Sequence, residues 1–437
     1  MGVYKVISED RTLYIDPAGD DTTGDGSSSS PWETLEKVFS YLSEYRIVNG
    51  AIVTVSVGAG TYTSVPGVSI RHLDASKIEI IGSSAASAAH AIAGADSGAK
   101  TIEVSGDETA TFAAGSVVSI MGSTDNDSTY TVDSVAHAAG TTTVTLDQAP
   151  QSSTADGTLR SHPASMTHIF EMAADEELEV YGTALAELSG ICIVGDSGSP
   201  ARGLAVVQGA RVVASEGLVI RGCTTGIEVA FDAALVATLP VVHGCSGTGI
   251  YCHDLSACTL NDGALSCHNG ARGFYANTSS PFVIGYDGAG GTMTRPVGSN
   301  NTAAGFYAVA GSYMNANYAQ AINNGAQGIY VQYGSFFSGN TPAVLNNTSH
   351  GIYVIQDSGA QVADIGVADN GGTGIYAKHR GTVVCPNGTS DDNGAYGVLA
   401  DEGSHVDFSS GSATGNTTAA TSPATNTVGN ANSYITS

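Results

Sequence analysis

From about residue 203 to about 409 the chain alternates apolar and polar residues in runs of three to five, broken by Gly, Asn, Asp and Ser. A period of two predicts short β-strands joined by turns. The runs themselves recur. Gly203-Leu-Ala-Val, Gly226-Ile-Glu-Val, Gly249-Ile-Tyr-Cys, Gly273-Phe-Tyr-Ala, Gly305-Phe-Tyr-Ala, Gly328-Ile-Tyr-Val, Gly351-Ile-Tyr-Val, Gly374-Ile-Tyr-Ala and Gly397-Val-Leu-Ala follow at spacings of 23, 23, 24, 32, 23, 23, 23 and 23. The outlier of 32 is one repeat plus a nine-residue insertion. A second series, Asn269, Asn301, Asn324, Asn347, Asn370 and Asn393, stands four residues before a repeat Gly each time, and Asn416 continues the step.

A unit of about 23 residues is too short for a helix pair and fits one coil of a parallel β-solenoid, three strands joined by turns. The residue after each Gly (Ile250, Phe274, Phe306, Ile329, Ile352, Ile375, Val398) is expected to point inward. A second inward row falls nine residues after the Gly: Leu235, Cys258, Met314, Phe337, Val383 and Val406. Each Gly is expected to hold a turn conformation closed to residues with a Cβ. Each Asn is expected to take left-handed backbone and bond the neighbouring turn. Stacked at ~4.8 Å per coil, these Asn would form a hydrogen-bonded ladder, a structural rather than a catalytic series.

Upstream, Thr12–Ile15 reads as a strand and Asp16–Ser30 as a polar loop. Ser30-Pro31-Trp32-Glu33 then supplies an N-cap, a Pro at the first helical position and a capping-box Glu. Trp32, Leu35, Val38/Phe39 and Leu42 recur at helical spacing, which predicts an amphipathic helix over Pro31–Tyr45 that caps the solenoid. Ala51–Val57 and Ser76–Ile81 read as strands. The region 99–160 breaks the pattern with short strands at Thr101–Val104, Val117–Met121, Thr129–Val135 and Thr141–Leu146. The expected organisation is therefore a cap in 1–50, first coils in 51–98, an interruption in 99–160, the main solenoid in 161–410, and a terminal coil with a polar tail in 411–437.

The segment Tyr14-Ile-Asp-Pro-Ala-Gly-Asp-Asp-Thr-Thr-Gly-Asp-Gly-Ser-Ser-Ser-Ser-Pro-Trp-Glu-Thr-Leu, followed by a helix and Gly58-Ala-Gly-Thr-Tyr, resembles the opening of right-handed parallel β-helix proteins. That group includes the pectate-lyase-like superfamily and many phage tailspikes and tail fibres. The Asn-x-x-x-Gly-Ile-Tyr coils resemble it too, and together these motifs cover about three quarters of the chain. Region 99–160, with Val-Ser-Gly-Asp, Phe112-x-x-Gly and Gly-Ser-Thr-x-Asn-Asp-x-Thr-Tyr-Thr-Val, resembles a small β-barrel module of phage structural proteins, here inserted between early coils. The resemblance implies an all-β, right-handed parallel β-helix located in a virion and assembled in the host cytoplasm. It implies a trimeric tail fibre or spike for host attachment, with sister chains, other tail or capsid proteins and a host surface glycan as partners. Two rival readings are a tailspike depolymerase acting on surface polysaccharide and a capsid-surface spike or decoration protein. The fold hosts lyases, hydrolases, epimerases and inert fibres, so it does not choose among them.

Composition narrows the field. Of 437 residues, 15 are Lys or Arg against 41 Asp or Glu, a net charge of −26. That balance argues against nucleic-acid binding, which needs a basic footprint. No stretch approaches the ~18 apolar residues of a spanning helix, so membrane insertion is not expected. Met1–Arg11 lacks the apolar core of a secretory signal, so the sequons at Asn277, Asn347, Asn387 and Asn416 carry no expectation of glycans. Seven Cys without a CxxC pair read as buried thiols of a protein made in a reducing compartment. No cofactor and no metal are expected.

A lyase needs a carboxylate cluster for Ca²⁺ and a base beside it. Between 203 and 437 the basic residues are Arg211, Arg221, Arg272, Arg295, Lys378 and Arg380, none in register with an Asp cluster. A glycosidase needs two carboxyls ~5–5.5 Å or ~6.5–9.5 Å apart. Asp369 and Asp392, 23 residues apart, are the low-ranking catalytic candidates, with Asp391 adjoining and Asp364 and Asp407 nearby; as solvated turn carboxylates they need no catalytic role. The insertion in Thr278–Ala304 carries Asp287 and Arg295, and Asp287 pairs with Asp262 or Asp254 only on paper. Asp21-Thr-Thr-Gly-Asp25-Gly26 resembles the start of a Ca²⁺ loop, but position twelve is Trp32. His243, His253, His268, His350, His379 and His405 show no ligand spacing. The distinctive series is aromatic. Tyr251, Tyr275, Tyr307, Tyr330, Tyr353 and Tyr376 take the second position after the Gly in six consecutive coils. Flanked by inward aliphatics, they should point outward, as a self-stacked stripe or as an interface or glycan platform.

Overall fold

The computed structural model describes residues 4–82, 88–195, 202–285, 295–422 and 434–436. It is an all-β parallel β-solenoid of about 15 turns with about 23 residues per turn, a parallel β-helix. The chain divides into two compact units, residues 1–120 with 130–243, and residues 121–129 with 244–437.

In the first unit, strand Arg11–Ile15 pairs in parallel with Val53–Val57, which pairs with Ile78–Ile81. The coils resume with Ala184–Ser189, Arg211–Ala214 and Ala234–Thr238 on the same face. Between Ile81 and His168 the chain leaves the coils to form a closed barrel of six strands. Its antiparallel pairs join His90–Asp96 to Thr101–Ser105, and Thr101–Ser105 to Thr141–Leu146. Ile102, Val104, Phe112, Val118, Ile120 and Val144 fill its core, each fully buried. The barrel is wider than 99–160, because its first and last strands in sequence are His90–Asp96 and Thr158–His162, which pair with each other. The first of these is rich in Ala and Gly, which weakens the strand signal.

The helix runs Leu35–Leu42, shorter than Pro31–Tyr45, and its N-cap is Thr34 rather than Ser30. Two contacts move its start. Trp32 is held extended, donating from its backbone to Tyr14 and accepting from Asp16. Asp21 accepts from the backbone N–H of Glu33 and Thr34 and from the Thr34 hydroxyl, at 2.8, 3.1 and 2.5 Å. The Asp21–Gly26 segment is thus a helix-capping loop. Leu35, Val38 and Leu42 are the buried side of the helix.

In the second unit three sheets repeat coil by coil. The first comprises Ile250–Cys252, Phe274–Ala276, Phe306–Ala308, Ile329–Val331, Ile352–Ile355, Ile375–Lys378, Tyr396–Ala400 and Ala419–Ser422. Its register is strict: Tyr307 lies opposite Tyr330, Tyr330 opposite Tyr353, and Tyr353 opposite Tyr376. Ile250, Phe274, Phe306, Ile329, Ile352, Ile375 and Val398 are all fully buried, as are Met314, Phe337, Val383 and Val406 on the second sheet. Phe274 and Phe306 stack at 4.9 Å, so the core itself contains an aromatic column. The insertion rejoins the coil at Val297, which bridges Leu265 and Gln320. Asp287 and residues 423–433 and 437 of the polar tail lie outside the described residues. Tyr434–Thr436 closes the terminal coil against His405–Asp407.

Candidate functional site

Two side-chain ladders set the spacing on which the surface is built. Asn269, Asn301, Asn324, Asn347, Asn370, Asn393 and Asn416 form one of them. The side-chain N–H of Asn324 donates to Asn347 Oδ1 at 2.9 Å, and that of Asn347 donates to Asn370 Oδ1 at 2.9 Å. The same oxygens accept the preceding Asn's backbone N–H, for example Asn347 N–H to Asn370 Oδ1 at 3.0 Å. The second amide hydrogen reaches a carbonyl, as Asn347 does at Ala321. A buried amide with every group bonded is stabilising, where an unpaired one costs free energy.

The left-handed residue is not the ladder Asn but the one before it: Asn300, Asn323, Asn346, Asp369 and Asp392, with φ of 55°, 57°, 56°, 56° and 53°. Asn and Asp are the side chains best suited to that conformation. This explains Asp369 and Asp392 without chemistry. They are exposed, they occupy the position that Asn fills in the preceding coils, and their backbone N–H groups bond Asp391 and Thr414. Asp254 and Asp262, with φ of 53° and 55°, are corner residues of the same kind. The repeat Gly also has a different reason from the expected one. Gly328 does not have positive φ; a Cβ there would meet Val344 Cγ1 at 2.4 Å and Asn347 Nδ2 at 2.8 Å. Gly305 and Gly351 face Asn324 and Asn370 in the same way, at 2.8 and 3.0 Å. The two sequence series are therefore one contact, amide against glycine backbone.

A ladder missed in the sequence lies at the next corner. Ser280, Ser312 and Ser335 donate their backbone N–H to the hydroxyls of Ser312, Ser335 and Ser358, at 3.2, 3.1 and 3.3 Å. The 23-residue spacing of Ser312, Ser335 and Ser358 is the signal that would have found it. Another missed contact is Ser128, whose hydroxyl accepts from Ser299 and from Asn300 Nδ2, both at 2.9 Å, and lies 3.2 Å from His268 Nε2.

The six tyrosines form a continuous stack. Ring centroids are 4.5, 5.0, 4.9, 5.3 and 5.0 Å apart from Tyr251 to Tyr376, and no successive pair is tilted by more than 24°. Such pairs each contribute about 0.5–1.5 kcal/mol beyond simple burial. Ring faces are turned to each other, and what remains outward is rims and hydroxyls. Tyr307 is buried and the other five are partly exposed. Arg272 lies over the stack, 4.5 Å from the Tyr275 ring and 4.7 Å from Tyr307. Gln332 ties two rungs, accepting from the Tyr330 hydroxyl at 2.7 Å and donating to Tyr307. Burial pushes the Tyr275 and Tyr376 hydroxyls up to about 12, so they stay protonated donors at neutral pH. His253 stacks on Tyr251, while His350 accepts from Thr373 and packs against Tyr353 and Tyr376. His268 and His379 have other partners, and among the described residues no His, Cys, Asp or Glu group has the arrangement of a metal site.

No protein-family model matches the chain, and no curated protein matches it. Among solved structures it is similar to a glycoside hydrolase, with 10% identity, a TM-score of 0.30, and 95% of this chain and 97% of that one covered. It is similar to tailspike protein 2 from Escherichia coli O157:H7 bacteriophage CAB120, with 12% identity over 72% of this chain and a TM-score of 0.35. There the match spans 45% of the tailspike's length. A periplasmic alginate epimerase is similar at 13% identity, with 58% of this chain and 77% of that one covered and a TM-score of 0.31.

Proposed function

We propose that the chain is a virion structural protein, a tail fibre or spike that attaches to the host cell surface and works as a homotrimer. The observation that carries this reading is the tyrosine stack. The core rows are already filled by Ile, Phe and Val, so a second stack of six tyrosines outside them, five of them partly exposed, exceeds what the fold requires. At strand spacing they make a ridge about 25 Å long. Tyrosine rims and hydroxyls suit a surface that is part apolar and part wet, the usual character of protein interfaces. Closed threefold symmetry would cover three such ridges at once.

The test is the triple variant Tyr307→Ser, Tyr330→Ser and Tyr353→Ser. Circular dichroism should show the coils still formed, while light scattering shows a smaller assembly or host cells adsorb less protein. Unchanged size together with unchanged adsorption would leave the stack as internal packing and overturn the proposal. Cleavage of polysaccharide is not the proposed function, because Asp369 and Asp392 serve turns. Incubation with host surface polysaccharide should release no new reducing ends and no unsaturated sugars. Robust product that disappears with Asp369→Asn or Asp392→Asn, changes that preserve the turn, would reinstate the depolymerase reading.

A further inference from the structure

The corner that follows the tyrosine sheet is built from two successive left-handed residues in coil after coil: Asp254 and Leu255, Thr278 and Ser279, Ala310 and Gly311, Tyr333 and Gly334, Gln356 and Asp357, His379 and Arg380, Glu402 and Gly403. Gly, Asn and Asp hold such a pair with least strain. In four consecutive coils the first of the two is a long side chain, Tyr333, Gln356, His379 or Glu402, and in His379-Arg380 both are. Strain retained at bulky residues is one mark of a working surface. The corners from Tyr333 to Glu402 line an open groove of about 620 Å³, within the size of known small-ligand sites.

The chemistry of the groove is mixed. Tyr333 is 55% exposed and offers a free aromatic surface, unlike the closed stack beside it. Three residues on, Phe336 lies parallel to Tyr313, and both are exposed. Arg380 and Asp357 form a planar two-point pair, with both contacts at 2.5 Å and both side chains open to solvent. Glu402 accepts from His379, and Lys378 Nζ lies 3.5 Å from it. The Gln356 side-chain oxygen has no hydrogen-bond partner. An aromatic ring can cover the C–H face of a pyranose, and a carboxylate–guanidinium pair sets donors and acceptors side by side for adjacent hydroxyls. Asp357 and Glu402 in the groove are matched by Arg380 within it and Lys378 beside it, while the whole chain carries −26. An anionic polymer would be repelled at long range, and an uncharged one would not.

We infer that this corner groove binds a neutral polysaccharide, with Tyr333 stacking on a sugar ring and Arg380 with Asp357 bonding its hydroxyls. The inference rests on the attachment reading and names the chemistry that attachment would use. The variants Tyr333→Asn and Arg380→Asn test it, since Asn accepts left-handed backbone and leaves the coil intact. The full-length protein and both variants are applied to an array of bacterial O-antigen and capsule oligosaccharides, neutral and uronic-acid-containing. The expected result is binding to neutral members that falls at least tenfold in each variant. Binding that survives both substitutions, binding confined to uronic acids, or no binding to any member would overturn it. Host-cell adsorption separates the two proposals. Adsorption unchanged by both variants leaves attachment standing and removes the groove. A wild-type protein that fails to adsorb removes attachment, while the array still decides the groove.

Discussion

Asn347 touches three coils: it donates to Asn370, accepts from Asn324, and fills the space beside Gly328. Asn347→Leu strands buried partners on both sides and should cost about 1–3 kcal/mol, visible as a lowered melting temperature. Ser40→Ala, on the exposed side of the helix, should leave the midpoint within error. Gly328→Ala should destabilise by a similar amount, because its Cβ collides with Val344 and Asn347. Its cost should shrink when Asn347 is already Ala, since neighbours in one contact do not add. A double-mutant cycle by thermal melts checks this, and strict additivity would show that the two series do not meet. Both series were plain in the sequence as spacings. That they are one contact was not, because a Gly faces the Asn of the next coil, nineteen positions later from Gly305 to Gly397. The left-handed position had a signal of its own, the doublets Asn300-Asn301, Asn323-Asn324, Asn346-Asn347, Asp369-Asn370 and Asp392-Asn393. Read as doublets, they place Asp369 and Asp392 in turns rather than in a catalytic pair.

At the scale of elements, the periodic coils were legible because side-chain alternation and coil length both repeat. The helix start was not, since it is set by Asp21, thirteen residues before the Thr34 it binds. Nor were the barrel's first and last strands, which closure rather than propensity holds. The barrel also carries a titratable group that sequence pattern does not single out. His162 is buried, lies 3.0 Å from the Ser119 hydroxyl, and is held at about 3 by burial, with Arg160 adding to the effect. The folded protein therefore keeps His162 neutral where an unfolded chain would protonate it below about pH 6.5. Stability should fall as pH drops from about 6.5 towards 3, by at most about 1.4 kcal/mol per unit from this group. His162→Gln should flatten that part of the profile in denaturant titrations run at several pH values. An identical slope in the variant would mean that His162 is protonated in the fold.

For the whole molecule, charge and ridge oppose each other. Sister chains would each bring −26, and their repulsion is screened over about 10 Å at 0.1 M salt. Assembly through an aromatic ridge should therefore strengthen between 0.02 and 0.5 M NaCl, roughly the range over which the Debye length falls from ~20 to ~4 Å. Sedimentation across that series checks it; assembly that weakens with salt would point to an ion-pair interface instead. Composition made the acidic balance visible at once, and the tyrosine spacing allowed a self-stacked stripe, but the ring-to-ring geometry of the ridge follows from the strict register of the strands.

The asparagine ladder also has a direction. Every side-chain amide from Asn269 to Asn393 donates toward the next coil and accepts from the one before. Bonds aligned head to tail polarise one another, so each rung is stronger for the presence of the rest. The coils then behave as a one-dimensional array, in which a broken rung acts as a domain wall. In the Asn347→Leu protein, amides of the coils before and after the lesion should exchange with solvent as two separate blocks, each less protected than the single block of the unaltered array.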